Sequence, residues 1–191
     1  MLYPSFDIPD KGINSSLYDL IRKESGYRIK GNGSRTSFSF VDDNRDTNKE
    51  LDYCITWIES LIKYAVFSFA NGEEYDGGKL GFDTTPFNIS ECWGVLYNKG
   101  EGVERHNHFP QTISFVYYVR MPEGSSPLIL DDEEILLPEG RVIFFLGSQW
   151  HSVPPTEVSN RCIIAGNIAY HFKNKGIKSK LPTRGQKPFI L

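Results

Sequence analysis

The residues whose types and spacing could do chemistry are histidines. His106 and His108 stand two positions apart in the segment ERHNHF, and His151 follows 43 residues after His108. Residues two apart on a β-strand point to the same face, so the first two imidazoles are expected to aim together. Neutral imidazole binds first-row transition metals well. The pattern indicates a metal site; the alternative is surface histidines or histidines held by ordinary hydrogen bonds.

The sequence around these histidines is ordered in a way that favours the metal interpretation. The first two belong to a Tyr-x-x-Gly-x5-His-x-His pattern that begins at Tyr97. A Pro-Glu-Gly turn, the apolar segment RVIFFLG and a short loop precede His151, and Arg161 follows it by ten residues. For His151 to join the pair, a later strand must return beside the first, as happens in a small barrel.

Two helices are expected to precede this region. The first covers 14–24, with the capping residues Asn14 to Ser16 at its start. The second covers 47–70, where Thr47 and Glu50 have the spacing of a capping box and apolar residues recur at helical intervals. The segment between these helices is expected to be short strand and loop.

The rest of the chain has the pattern of a β protein. Strands are expected in the segments ISECWGVLYN, ERHNHF, TISFVYYVRM, SPLILD, RVIFFLG and RCIIAGNIAY. We therefore predict a mainly β single domain over 1–191, with a helical layer at 1–70, an antiparallel barrel or two-sheet sandwich at 71–171 and a basic extension at 172–191.

Composition and charge limit the possible partners. The extension contains six basic residues and no acidic one, but it lacks the aromatic platform that single-stranded nucleic acid would use, so we do not expect it to be the functional centre. Three widely spaced cysteines are typical of reduced thiols in the cytoplasm. The apolar runs are too short to cross a membrane, and the N-terminus has no secretion signal.

The segment from about Trp93 to Ala169 resembles the core of the 2-oxoglutarate/Fe(II)-dependent oxygenases, in particular their prolyl-hydroxylase-like branch. The segment HNHFPQTISFVYYV is similar to a branch with a His-x-His-Pro motif. The resemblance implies a double-stranded β-helix of the jelly-roll or cupin-like type. It also implies a hydroxylase that uses Fe(II) and 2-oxoglutarate on a peptidyl residue or a small molecule.

Site residues follow from the resemblance one by one. His106 and His151 would be iron ligands, Arg161 would pair with the distal carboxylate of 2-oxoglutarate, and Tyr97 would hydrogen-bond the same co-substrate. Asn167 lies six residues beyond Arg161 and so on its face, where it could line the pocket as part of the co-substrate site or make a structural hydrogen bond.

His108 departs from the family pattern, which has Asp or Glu at this position. An imidazole there removes one negative charge from the metal site. Three possibilities remain open: a three-histidine iron site, which we favour; a carboxylate from elsewhere; or a site without oxygenase activity. The candidate carboxylates are Asp131, Asp132 and Glu104.

Two other classes of function fit parts of the pattern. A metal-binding cupin that acts as a dioxygenase or isomerase would share the first histidine motif, but that motif continues with Glu where this chain has Thr112 and Ile113. A non-catalytic ligand-binding module could use the same pocket. Arg161 distinguishes the oxygenase, which alone needs a cation buried beside the metal.

Overall fold

The computed structural model describes residues 3–29, 31–73 and 83–171, so the basic extension at 172–191 lies outside the described residues. The helices are α1 (Asn14–Glu24), α2 (Phe40–Asn44) and α3 (Lys49–Asn71). The strands are β1 (Ser5–Asp7), β2 (Tyr27–Arg28), β3 (Ser34–Arg35), β4 (Phe87–Tyr97), β5 (Val103–His106), β6 (Ile113–Arg120), β7 (Leu128–Leu130), β8 (Glu133–Ile135), β9 (Arg141–Leu146), β10 (His151–Val153) and β11 (Arg161–Tyr170).

Both predicted helices are present, but the residues that cap them differ from the prediction. Asn48, not Thr47, caps α3: its backbone is extended, and its side chain accepts a hydrogen bond of 2.8 Å from the Leu51 amide. Asn14 does not cap α1, because it lies inside the helix, where it is buried and accepts a hydrogen bond of 2.6 Å from the Tyr117 hydroxyl. A 3₁₀ helix over Lys11–Ile13 leads into α1 instead.

The strands form two antiparallel sheets, as predicted. The larger has the order β1-β9-β6-β11-β4-β3-β2, and the smaller has the order β5-β10-β7-β8. All six predicted strands are found, and the sequence did not indicate β1, β8 or β10, which are only three residues long each. The helix α2 lies in a segment where strand and loop were expected.

The two faces of the large sheet bury different sets of side chains. Phe115 and Tyr117 pack with the helices in one apolar cluster, whereas Val116 and Tyr118 pack in a second cluster that also contains Leu130 from the small sheet. The segment FVYYV therefore contributes alternate side chains to two separate apolar clusters. The second cluster lies between the sheets, where the predicted histidines and Arg161 also lie.

Among the described residues, none of the helices combines the length and the apolar character needed to cross a lipid bilayer. Cys54, Cys92 and Cys162 are all buried as free thiols, which agrees with the expectation of reduced cysteines.

Gly94 is expected to be essential for packing α1 against β4. A Cβ atom at this position would lie 2.6 Å from Ile21 Cγ1 on α1, so Gly94→Ala should lower the free energy of unfolding by about 1–3 kcal/mol through overpacking. Chemical denaturation measures this. Gly26→Ala is the control, because a Cβ there meets nothing within 4 Å and the stability should hardly change. Equal stability of the two variants would contradict the packing seen here.

Candidate metal and anion site

The three predicted histidines converge on one point between the sheets. Their potential ligand nitrogens all lie within 4.8 Å of one another, and the Nε2 atoms of His108 and His151 are 3.2 Å apart. His106 and His151 are direct cross-strand partners on β5 and β10. The 3.2 Å between the two Nε2 atoms is suited to nitrogens that share a metal ion at about 2.0–2.1 Å each.

The route by which His108 reaches the site differs from the prediction. β5 ends at His106, so His108 does not share a strand with it. Instead His108 lies in the following turn, where its amide donates to the Gly147 carbonyl over 2.8 Å. His151 follows the predicted short loop and is the first residue of β10. Convergence therefore depends on the turn and on the β5–β10 pairing.

Backbone carbonyls fix the orientation of two of the rings. His106 Nδ1 lies 2.7 Å from the Glu104 carbonyl oxygen, and His151 Nδ1 lies 3.1 Å from that of Gln149. Because a carbonyl oxygen only accepts, each Nδ1 must carry the proton, which leaves the Nε2 lone pair facing the shared point. Metal-binding histidines commonly have their second nitrogen held in this way.

Burial keeps two of the three imidazoles, those of His108 and His151, neutral. Burial, helped by the charge that His106 can carry, lowers the pKa of His108 to about 4 and the pKa of His151 to about 3. Both side chains are therefore unprotonated near pH 7. A neutral imidazole is the form that binds a metal.

No carboxylate joins the triad among the described residues. The cluster of potential ligand atoms contains only the three imidazoles. Of the acidic candidates, Glu104 contributes its carbonyl to His106, and the Asp131 carboxylate accepts a hydrogen bond of 3.2 Å from Gln149 Nε2. Asp132 is exposed in the turn between β7 and β8. Within the described part of the chain, the donor set is three nitrogens.

Arg161 is buried in the same pocket without an acidic partner among the described residues. Its side chain is 0% exposed, and its three guanidinium nitrogens have no hydrogen-bond partner among the described residues. It pairs across the sheet with Tyr97, and its Cζ atom lies 4.7 Å from the centre of that ring. Burying an unpaired cation is costly, so this end of the pocket is suited to bind an anion.

Two tyrosines border this guanidinium. Burial raises the pKa of Tyr97, although the charge of Arg161 opposes the shift, and burial raises the pKa of Tyr118 to about 12. Both phenols are therefore protonated and can donate hydrogen bonds. The Tyr118 hydroxyl has no partner among the described residues. Tyr118 was not predicted as a site residue, although it lies on the same strand face as Val116, which lines the pocket.

The pocket connects the triad to Arg161. It has a volume of about 340 Å³, and all six predicted site residues line it. Asn167 lies at the opposite end from Arg161, and its side chain accepts a hydrogen bond from Ser114 and donates one to Glu91. Sequence reasoning also missed Trp93 and Glu91, which alternation along β4 from Tyr97 could have found.

Comparison with known proteins identifies the fold. Viral collagen prolyl hydroxylase vCPH from Paramecium Bursaria Chlorella virus-1, solved as a 2OG complex, has a TM-score of 0.65 at 14% identity, over 88% of this chain and 96% of that chain. A prolyl-4-hydroxylase from Pseudomonas putida has a TM-score of 0.63 at 15% identity, over 88% and 92%. The non-heme alpha ketoglutarate dependent epimerase SnoN from nogalamycin biosynthesis has a TM-score of 0.63 at 11% identity, over 98% and 88%.

At these identities the likeness is one of fold. The chain has the fold of the prolyl hydroxylase structures, which agrees with the resemblance seen in its sequence. No protein-family model matches the chain, and no curated protein matches its sequence.

Proposed function

We propose that this protein is a non-haem Fe(II)- and 2-oxoglutarate-dependent oxygenase that hydroxylates a peptidyl residue or a small molecule. Its two sheets would be the halves of a double-stranded β-helix. The observation that carries the proposal is the presence, in one pocket, of three converging imidazoles and a fully buried guanidinium that has no hydrogen-bond partner among the described residues. The fold shared with enzymes of this chemistry supports it.

The donor set fits a divalent iron. His106, His108 and His151 would hold it through their Nε2 atoms, and imidazole is a ligand that iron accepts. Bound iron would supply the activation of dioxygen that oxidation of an unactivated C–H bond needs. The three-histidine site has one negative charge fewer than the usual two-histidine, one-carboxylate site, so the anionic co-substrate would compensate more of the metal charge.

Arg161 would orient the co-substrate. A guanidinium matches a carboxylate with two parallel hydrogen bonds, so the distal carboxylate of 2-oxoglutarate would take the place facing Arg161. Tyr97 and Tyr118 would donate to the same carboxylate. The overall reaction consumes 2-oxoglutarate, dioxygen and a substrate C–H bond, and yields succinate, carbon dioxide and the hydroxylated product.

The apolar wall between the two ends would exclude water. Val95 and Ile163 are 3% and 4% exposed. They form the next cross-strand pair after Arg161–Tyr97 on the pocket face of the large sheet. A low-dielectric wall strengthens the charge pairing at Arg161. Asn167 lies at the other end of this wall, so the co-substrate role predicted for it stays a prediction.

The decisive experiment is anaerobic addition of Fe(II) and then 2-oxoglutarate to the metal-free protein. A visible charge-transfer band that needs both additions is expected, and it tests the metal, the co-substrate and their geometry without knowledge of the substrate. If calorimetry on Mn(II)-loaded protein detects no binding of 2-oxoglutarate, the oxygenase proposal is wrong. A cupin-type metalloenzyme or a non-catalytic ligand-binding module would then be the better interpretation.

The role of Tyr118 can be tested by a matched pair of variants. Tyr118→Phe removes a hydroxyl that has no partner among the described residues. The stability of the protein without ligand should therefore stay equal or rise, while 2-oxoglutarate affinity should fall about three- to tenfold. Tyr117→Phe breaks the 2.6 Å hydrogen bond to Asn14 and should lower stability by about 1 kcal/mol or more. Denaturation and calorimetry measure both. A stability loss in Tyr118→Phe as large as in Tyr117→Phe would contradict this assignment.

A further inference from the structure

A row of polar residues crosses the large sheet at the end of the pocket away from Arg161. Ser114 on β6, Asn167 on β11 and Glu91 on β4 are cross-strand neighbours. Ser114 Oγ donates to Asn167 Oδ1 over 2.9 Å, and Asn167 Nδ2 donates to Glu91 Oε2 over 3.1 Å. Ser114 and Asn167 are each 2% exposed, whereas Glu91 is exposed. Two hydrogen bonds through the buried Ser114 and Asn167 side chains therefore hold the exposed Glu91 carboxylate in place.

This row lies on the substrate side of the metal site. Along β4 and β11, the pairs that face the pocket succeed one another from Arg161–Tyr97 to Asn167–Glu91, six residues or about 20 Å away at the usual strand rise. Trp93, between these two ends, contacts the triad, with ring centres 5.8 Å apart between Trp93 and His108. The co-substrate would occupy the Arg161 side, so a substrate must approach from the Glu91 side.

The Glu91 carboxylate has no cationic partner among the described residues. It forms no salt bridge there, and its hydrogen bond comes from a neutral amide. The two outer arginines of the pocket are engaged elsewhere. Arg35 stacks 3.9 Å above the Phe38 ring and donates to the Thr36 carbonyl, and Arg28 lies 3.8 Å from the carboxylate of Glu101.

We propose that Glu91 binds a positively charged amine or guanidinium group of the substrate. This inference rests on the proposed oxygenase function, because it identifies the substrate class of that same pocket. Asn167 and Ser114 are positioning residues for the carboxylate. Trp93 and Phe38, whose rings meet edge to face at 5.0 Å, form an aromatic wall against which the aliphatic part of such a substrate can pack. The two ends of the pocket thus bind opposite charges.

The test compares two probes of equal shape and different charge. Nα-acetyl-arginine amide and Nα-acetyl-citrulline amide carry no other charge, so the ratio of their dissociation constants isolates the guanidinium. Calorimetry on metal-free protein is expected to show about tenfold tighter binding of the arginine probe, a modest ratio because an exposed carboxylate is screened by solvent. Equal affinities, or no binding of the arginine probe, would overturn the proposal.

Variants assign the preference to Glu91. Glu91→Gln should bring the ratio of the two dissociation constants close to one. Glu91→Lys should reverse the charge preference, so that Nα-acetyl-glutamate amide binds more tightly than Nα-acetyl-arginine amide. Glu134→Gln is the matched control: it removes the same charge from an exposed residue on β8, and it should keep the ratio of the wild type. A Glu91→Gln variant that retains the tenfold preference would show that another group binds the guanidinium and would overturn the proposal.

Failure of this inference can be distinguished from failure of the proposed function. The probe measurement needs neither iron nor turnover, whereas the oxygenase proposal is decided by 2-oxoglutarate binding to metal-loaded protein. Binding of 2-oxoglutarate without a charge preference among the probes would remove the cationic substrate and keep the oxygenase. A charge preference without 2-oxoglutarate binding would keep Glu91 as a cation site and remove the oxygenase.

Discussion

Replacing His151 with alanine is expected to weaken Fe(II) or Mn(II) binding by more than about a hundredfold. Loss of a residue that merely orients a metal ligand already costs ten- to a hundredfold, and His151 would be a ligand itself. It is also the side chain whose Nε2 lies 3.2 Å from that of His108, so its loss leaves only two nitrogens. Metal analysis after anaerobic loading, together with calorimetry, measures the effect.

Two further variants make this result interpretable. His171→Ala removes the remaining histidine of the chain, which is exposed after β11 and outside the triad, and it should bind metal as the wild type does. His108→Asp converts the donor set to two imidazoles and a carboxylate, and it should retain the metal. If His151→Ala is folded and still binds one metal tightly, the triad is not the metal site.

Replacing Arg161 with alanine is expected to weaken 2-oxoglutarate binding by about 1.5–3 kcal/mol, or roughly ten- to more than a hundredfold. The guanidinium is fully buried and lacks a partner among the described residues, so the carboxylate would gain a desolvated, two-pronged contact. Metal affinity should change little, because Arg161 is not one of the converging groups. Arg161→Lys should recover part of the affinity, since an ammonium cannot reproduce the planar fork.

The control for Arg161 is Arg120→Ala, which removes an exposed guanidinium that lies over the Tyr18 ring on the far side of the sheet. It should leave 2-oxoglutarate affinity unchanged. Arg161→Met adds a test of the burial argument, because replacing an unpaired buried charge by an apolar side chain of similar length should not destabilise the ligand-free protein. Equal 2-oxoglutarate affinity in Arg161→Ala and the wild type would remove Arg161 from the co-substrate site.

Much of the fold could be predicted because it is encoded in local periodicity. The helix α3 repeats its apolar residues at the helical interval of 3.6, and the long strands β4, β6 and β11 each contain an extended run of buried residues. The three-residue strands β1, β8 and β10 have too few positions for a period, so only their hydrogen-bonded neighbours define them. The capping residues were mistaken because several polar residues adjoin each helix start and the backbone conformation selects among them.

By itself, the sequence determined which groups could form a site: the spacing of His106, His108, His151 and Arg161, and the strand face that Asn167 shares with Arg161. Only the tertiary structure decided how they meet. His106 faces His151 through the β5–β10 register, and His108 joins them from a turn, not from the strand that spacing had suggested. The row from Ser114 through Asn167 to Glu91 likewise exists only across three paired strands. Side-chain period is local, but strand register is set by packing between residues far apart in the chain, which no single segment encodes.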